Sequence, residues 1–347
     1  MDEDILKKMA LLSALRDAND SDDGDEKLFI MSVREAATLI DLHGGISHGA
    51  YCSKVVDYIT NPDNHVYGSP DEYHNLISRF LGFGDYFSAM RTCDYALAIF
   101  PYSVDILANA IQAAGQSGRF EDGKKYLDLA EQIDKKCWNW RLFLFSIIYY
   151  KRLFAQCSPD ELNSNYEKAI GLAHEYQKYL PLDERAYNQE AEILLYMNNI
   201  SEAKKVLRKA IFEGVLVNGE TFKLIAAQCC VTLLDDILDT SNEYDLIIKT
   251  AHKGIQFTTQ EQPSSKIGYF VYRSALAKDA LIVCDDYRNK ADIQEALREY
   301  QCAYDLNQDM GYAKTIEERY TILCQNSKNP VEDMPLRKRA LSVSPEK

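Results

Sequence analysis

The sequence is short of chain breakers: its 347 residues include only 16 Gly and 9 Pro. A fold made of many tight β-turns needs more of both, so helices are favoured. Nowhere does the chain reach the roughly 18 consecutive apolar residues of a membrane-spanning helix. Its first residues, Met1-Asp2-Glu3-Asp4, lack the positive and apolar regions of a signal peptide. The expectation is a cytoplasmic protein without a membrane segment. None of the nine cysteines forms a Cys-x-x-Cys pair, which argues against a zinc site or a redox motif and for reduced thiols serving as small core residues. Basic residues are also scarce, 39 Lys+Arg against 53 Asp+Glu for a net charge of −14. An acidic surface repels nucleic-acid phosphates, and the one basic cluster is Arg337-Lys338-Arg339 near the end. Residues 17–26 hold six acids, yet a calcium loop drawn with Gly24 at its sixth place puts Ile30 where a bidentate Glu is required. The six histidines make no H-E-x-x-H pair, and phosphate loops, G-x-G-x-x-G and G-x-S-x-G are all missing. No enzyme, cofactor or metal site is expected.

What the chain does have is 46% hydrophobic residues, 23 Tyr against 2 Trp and 13 Phe, and an internal period. Aligning Gly84-Asp85-Tyr86 with Gly118-Arg119-Phe120 sets a shift of 34 residues. Tyr73, Leu76, Ile77 and Phe80 then match Leu107, Ala110, Ile111 and Ala114, each set lying on one stripe of a helix. After the Gly turn, Tyr86, Ala89, Cys93 and Ala96 are echoed by Phe120, Gly123, Leu127 and Ala130. Two antiparallel helices per unit follow. Small side chains let the second helix approach its neighbours closely, and neither helix buries its stripe unless units stack.

An aromatic-x-x-Leu opening, a Gly-x-aromatic turn, two later small residues and a closing Pro (Pro101, Pro181) resemble the tetratricopeptide repeat family. The resemblance implies an all-α fold, an α-solenoid of antiparallel helix pairs wound as a right-handed superhelix, with long atypical hairpins in the C-terminal half. The reading divides the chain into an acidic segment with a short amphipathic helix (1–26), a helical cap (27–69), four repeat units with an insertion in the third (70–217), divergent pairs and a closing helix (218–326), and a flexible tail (327–347). The cap reads as helices at 31–43 and 48–60, stopped at His43-Gly44-Gly45. Ser158-Pro159-Asp160-Glu161 reads as a helix cap, and the insertion is expected to lengthen both helices of the third hairpin. Later helices are expected at 220–238, 242–257, 266–284, 291–306 and 310–325.

In such stacks the first helices line a concave groove, and the resemblance implies that the groove binds a peptide or a helix of another protein. The groove positions fall on His74, Asn75 and Ser78, then Ala108, Asn109 and Gln112, then Leu142, Ser146, Tyr149 and Tyr150, then Arg185, Asn188, Gln189, Glu192 and Tyr196. Asn and Gln can pair with the backbone of an extended ligand, and Tyr supplies contact area with a polar tip. The expected partner is a protein or peptide with a neutral or basic segment, a larger complex being an open option. The family's chaperone clamp, which needs cations on successive first helices, is not expected, since His74, Ser78 and Ala108 leave those places empty. The first alternative is a peptide-responsive transcription regulator, because residues 32–40 resemble the first helix of a helix-turn-helix, and the second is an enzyme without a recognisable motif. The would-be recognition helix, 47–59, has one Lys and no Arg to anchor phosphates.

Overall fold

The computed structural model describes residues 30–42, 48–213, 215–217, 220–222, 227–258, 264–306 and 311–326. The short helix expected within residues 1–26, the His43-Gly44-Gly45 stop and the basic tail lie outside these residues. The described chain is almost wholly helical and falls into two compact units, Met1–Gln156 and Cys157–Lys347. Each is a stack of antiparallel helix pairs.

In the first unit, α1 (Val33–Leu42) and α2 (His48–Thr60) precede the pairs α3 (Pro70–Gly82) with α4 (Tyr86–Ile99) and α5 (Val104–Ser117) with α6 (Phe120–Ala130), and α7 (Trp140–Leu153) closes the unit. Local chemistry sets these limits. Ser69 accepts from the Glu72 amide while the Glu72 carboxylate accepts from the Ser69 amide, with Pro70 in the first turn. Gly84 and Gly118 sit at φ 75° and 73°, left-handed conformations that strain any residue with a β-carbon. Helices α1, α3, α5 and α7 pack in one row, each against the next, and the second helices back them. Leu76, Ile77, Phe80, Leu107, Ile111, Phe143 and Ile147 are fully buried between the rows. Their stripes cannot be hidden within one pair, which is why the pairs stack.

The second unit opens with α8 (Pro159–Tyr179), capped by Ser158 and Glu161 as the sequence predicts. It continues through α9 (Glu184–Tyr196), α10 (Ile200–Arg208) and a π-helical turn at Lys209–Glu213. A short antiparallel hairpin follows, β1 (Val215–Val217) with β2 (Glu220–Phe222), pairing Val215 with Phe222. Then come α11 (Ala227–Thr232) running into a π-helical turn at Leu233–Ile237, α12 (Tyr244–Thr258), α13 (Ser264–Cys284), α14 (Lys290–Leu306) and α15 (Ala313–Asn326). Val271, Ala275, Ala296, Tyr300, Ala303, Ile316 and Leu323 form the core of the last three helices.

Two expectations need correction. The fifth pair does not start as a helix at 220: residues 220–222 are a strand, Val215, Leu216 and Val217 pairing with Phe222, Thr221 and Glu220 in a stretch rich in β-formers. Nor does the insertion lengthen both helices of the third hairpin. Helix α7 has the same 14 residues as α5, and the extra length goes into α8, with 21 residues, and into a 3-10 turn at Lys135–Cys137.

The tyrosine excess has a structural use. Tyr126 donates to Asp94 (2.7 Å), Tyr176 to Asp183 (2.8 Å), Tyr269 to Asp235 (2.5 Å), Tyr300 to Asp279 (2.9 Å) and Tyr304 to Glu317 (3.0 Å). Each ring fills an inter-helix gap while its hydroxyl pins a carboxylate. Burial raises the hydroxyl pKa in all five. Cys52, Cys93, Cys229, Cys230 and Cys324 are buried thiols, whereas Cys137, Cys284 and Cys302 are exposed. Burial pushes the Cys229 and Cys230 thiols well above their ordinary range, which disfavours the thiolate. No described helix is long and apolar enough to cross a membrane.

Candidate functional site

The helix caps give the register of the inner face in the first unit. Ser69, Ser103 and Asn139 are the N-caps of α3, α5 and α7, so the spacing is 34 residues and then 36. Equivalent inner positions are therefore Asp71, Asp105 and Arg141, then Asn75, Asn109 and Phe145, then Ser78, Gln112 and Ile148. The sequence frame runs two residues early on α7, because the Lys135–Cys137 turn adds length before it. Leu142 and Ser146 are consequently fully buried. Tyr149 also belongs to the interior and not to the groove. It is 4% exposed, its ring lies over Gly123, where a β-carbon would fall 2.4 Å from Tyr149 Cε2, and its hydroxyl donates to the Phe120 carbonyl at 2.7 Å. A bare glycine in the preceding second helix is the physical reason the ring turns inward. Tyr150 is half-buried with its ring edge-on to Tyr149 at 5.5 Å.

Three side chains join the first helices of this unit. Asn109 is fully buried; its Nδ2 lies 3.0 Å from His74 Nδ1, and its Oδ1 accepts from Arg141 Nη2 at 2.5 Å. The Arg141 guanidinium lies near the Trp140 and Phe145 rings, and its Nε is buried without a partner. Burial lowers the His74 pKa, the Arg141 charge adds to this, and Asp105 and Asp71 oppose it. Asp105 accepts from Asn139 Nδ2 at 2.8 Å. Beside this network Asn75 is exposed, Gln112 and Phe145 are half-exposed, and the Ser78 hydroxyl is buried without a partner. Ala108 is buried between α5 and its neighbours.

The inner face of the second unit is of different composition. Asp183 holds Arg185 through two contacts, at 2.7 and 2.5 Å, and accepts from Tyr176. Asn188 is buried, donating to Glu192 at 2.6 Å and accepting from the Thr232 hydroxyl at 2.6 Å; Gln189, also buried, reaches Glu192 at 3.4 Å. Tyr196 is 53% exposed. The sequence reading misses the next part, where the π-helical turn after α11 puts Asp236 within reach of the Glu192 charge. Tyr269 donates to Asp235, and Arg273 donates to Asp239 (2.7 Å) and to the Leu234 carbonyl (2.7 Å). Burial and the nearby charges of Asp235 and Glu192 raise the Asp236 pKa. A signal was present: Asp235 with Tyr269 and Asp239 with Arg273 are each 34 residues apart, as are Asp57 with Arg91 and Asp105 with Asn139. Glu190 is buried and satisfied by Gln177 (2.5 Å) and His174 (3.0 Å).

Among the described residues no three His, Cys, Asp or Glu side chains gather as a metal site requires. A cavity of about 270 Å³ lined by Arg208, Phe212, Glu243, Asp245, Leu246 and Lys249 lies between second helices, not on the inner face.

No protein-family model and no curated protein matches the sequence. Among solved structures, the chain is similar to a thermophilic TPR protein of Thermus thermophilus, with 12% identity, 74% of this chain and 100% of that one covered, and a TM-score of 0.38. It is similar to a tetratricopeptide repeat protein of Parabacteroides merdae, with 10% identity, 83% and 97% covered, and a TM-score of 0.38. The TPR domain of P58(IPK) matches at 11% identity, 86% and 99% covered, with a TM-score of 0.22. These neighbours are all tetratricopeptide repeat proteins. For this chain the fold rests on its own capped helix pairs, repeating at 34 residues where the period is regular.

Proposed function

We propose that this protein is a non-enzymatic interaction scaffold that holds a neutral or basic segment of another protein against the inner faces of its first helices. The observation that carries the reading is the way those faces are fixed. Asn109, Asn188 and Gln189 are locked by bonds between or along helices, so the groups left exposed beside them, Asn75 and Tyr196, are presented in set positions. Preorganised donors and aromatics bind a chain with less loss of side-chain entropy. On the second unit, where Arg273 already pairs Asp235 and Asp239, the Glu192 and Asp236 carboxylates favour a basic or neutral ligand and resist an acidic one.

The test uses Asn75→Ala and Asp236→Lys, both at exposed positions, against Glu318→Lys on the exposed surface of α15. Proteins captured by the wild type from a native lysate are identified, then binding of purified candidates is measured for each variant. About a tenfold weakening by the inner-face variants, with helicity unchanged and Glu318→Lys neutral, supports the reading. Equal binding by all three overturns it.

A further inference from the structure

Arginine offers no acceptor atom. The Asn109 atom that meets Arg141 Nη2 at 2.5 Å is therefore the carbonyl oxygen, and this fixes which way the buried amide points. Its nitrogen must then face His74, with Nδ2 3.0 Å from Nδ1 and 3.4 Å from the His74 carbonyl oxygen. An amide nitrogen brings only hydrogens, so Nδ1 must supply a lone pair. His74 is held neutral with its proton on Nε2, a tautomer imposed from two helices away.

We infer that His74, Asn109 and Arg141 form a proton-controlled relay across α3, α5 and α7. A proton taken up at Nδ1 sets an N–H against the Asn109 N–H₂; the amide turns so that Oδ1 accepts from the imidazolium, and Arg141 loses its acceptor. The proton comes from solvent, and the only bond made is Nδ1–H. Asn109 Nδ2 turns to where Oδ1 had been, and Arg141 Nη2, now opposed by an N–H₂, swings to the inner face while the buried Nε stays where it is. Protonation thus changes the hydrogen-bonding pattern of the groove without unfolding a helix.

The charges facing His74 are Asp71 from its own helix, Asp105 from α5 and Arg141 from α7. Those of α1 are engaged elsewhere, Arg34 with Glu72 at 3.2 Å, Asp41 with Arg79 at 2.8 Å and Glu35 with the Met31 and Ser32 amides. Burial and Arg141 outweigh the two acids, so the relay switches below the ordinary imidazole value of 6.5. It rests on the three side chains alone and stands whether or not that face binds a protein segment.

The test is a pH titration of the full chain by NMR, following the two-bond ring correlations of His74, the Asn109 side-chain amide and the Arg141 Nε–H. The expected result is the Nε2–H tautomer at pH 7.5, a His74 midpoint below 6.5, and Asn109 and Arg141 resonances that move with that same midpoint. His74→Asn, whose Oδ1 replaces Nδ1 as a permanent acceptor, should leave Arg141 unresponsive over this range. An Nδ1–H tautomer at pH 7.5, Arg141 and Asn109 signals that ignore the His74 midpoint, or an Arg141 titration that persists in His74→Asn would each overturn the relay. The wild-type titration decides the question alone if the variant does not fold.

Discussion

The two units solve one packing problem in the same way with different residues. In the first, Gly123 of α6 lies under the Tyr149 ring of α7; in the second, Gly254 of α12 lies under the Phe270 ring of α13. A β-carbon on either glycine would fall 2.4 Å from the ring above it. Around this shared contact the units differ. The first keeps helices of 10 to 14 residues with no π-helical turn among its described residues, while the second adds two π-helical turns, a β-hairpin and helices of 21 residues. The comparison teaches that stacking needs a local aromatic seat on a bare second helix more than it needs a strict period.

Removing the ring tests that equivalence most severely. Tyr149→Ala and Phe270→Ala should each lose about 3–5 kcal/mol of stability in urea unfolding, the range for deleting a buried aromatic. A small loss at Phe270 alone would mean the second unit does not depend on its seat. Filling the seat is gentler. Gly123→Ala and Gly254→Ala force a rigid ring aside at about 1–3 kcal/mol, partly offset by about 1 kcal/mol from the better helix former. Both variants should still be net destabilised, and a stabilised variant would show that the seat can yield. Tyr149→Phe makes the first seat chemically like the second and should cost about 1 kcal/mol, the usual net worth of one hydrogen bond, here the 2.7 Å contact to Phe120.

The capping boxes compare the units at their surfaces. Ser69→Ala and Ser158→Ala should each lose about 1 kcal/mol, read as a lower denaturant midpoint. A clear inequality would show that one helix start is held by packing instead.

The smallest effect is in pH, and its sign differs between the units. His74 has a lowered pKa in the folded chain, so the unfolded chain binds more protons and stability falls as pH drops below 6.5. Asp236 has a raised pKa, so the folded chain holds its proton at higher pH and stability rises as pH falls through that raised value towards 3.8. His74→Asn and Asp236→Asn should remove these trends in opposite directions when unfolding free energy is followed against pH.

Much of the fold was legible in the residues. The stripes, the Ser69 and Ser158 caps and the glycine turns at 84 and 118 all mark local structure, and each appears where the pattern puts it. The inner face was read less well. One extra turn at Lys135–Cys137 shifted the frame on α7, and Tyr149 could not be placed by periodicity because the glycine that draws it inward lies 26 residues away in another helix. The Asp183–Arg185 pair sits two residues apart and is local, whereas Asn109 meets partners 35 residues before and 32 after it, a spacing no single period generates.

The sequence by itself therefore determined the helix pairs of the regular repeats, α3 to α6, since caps, glycines and apolar stripes act over a few residues. Tertiary structure alone decided which tyrosines are interior, which way the Asn109 amide points and which acids meet on the second unit's inner face. Those outcomes depend on distances between helices, and these are set only once the pairs have stacked and each side chain has found what lies opposite it.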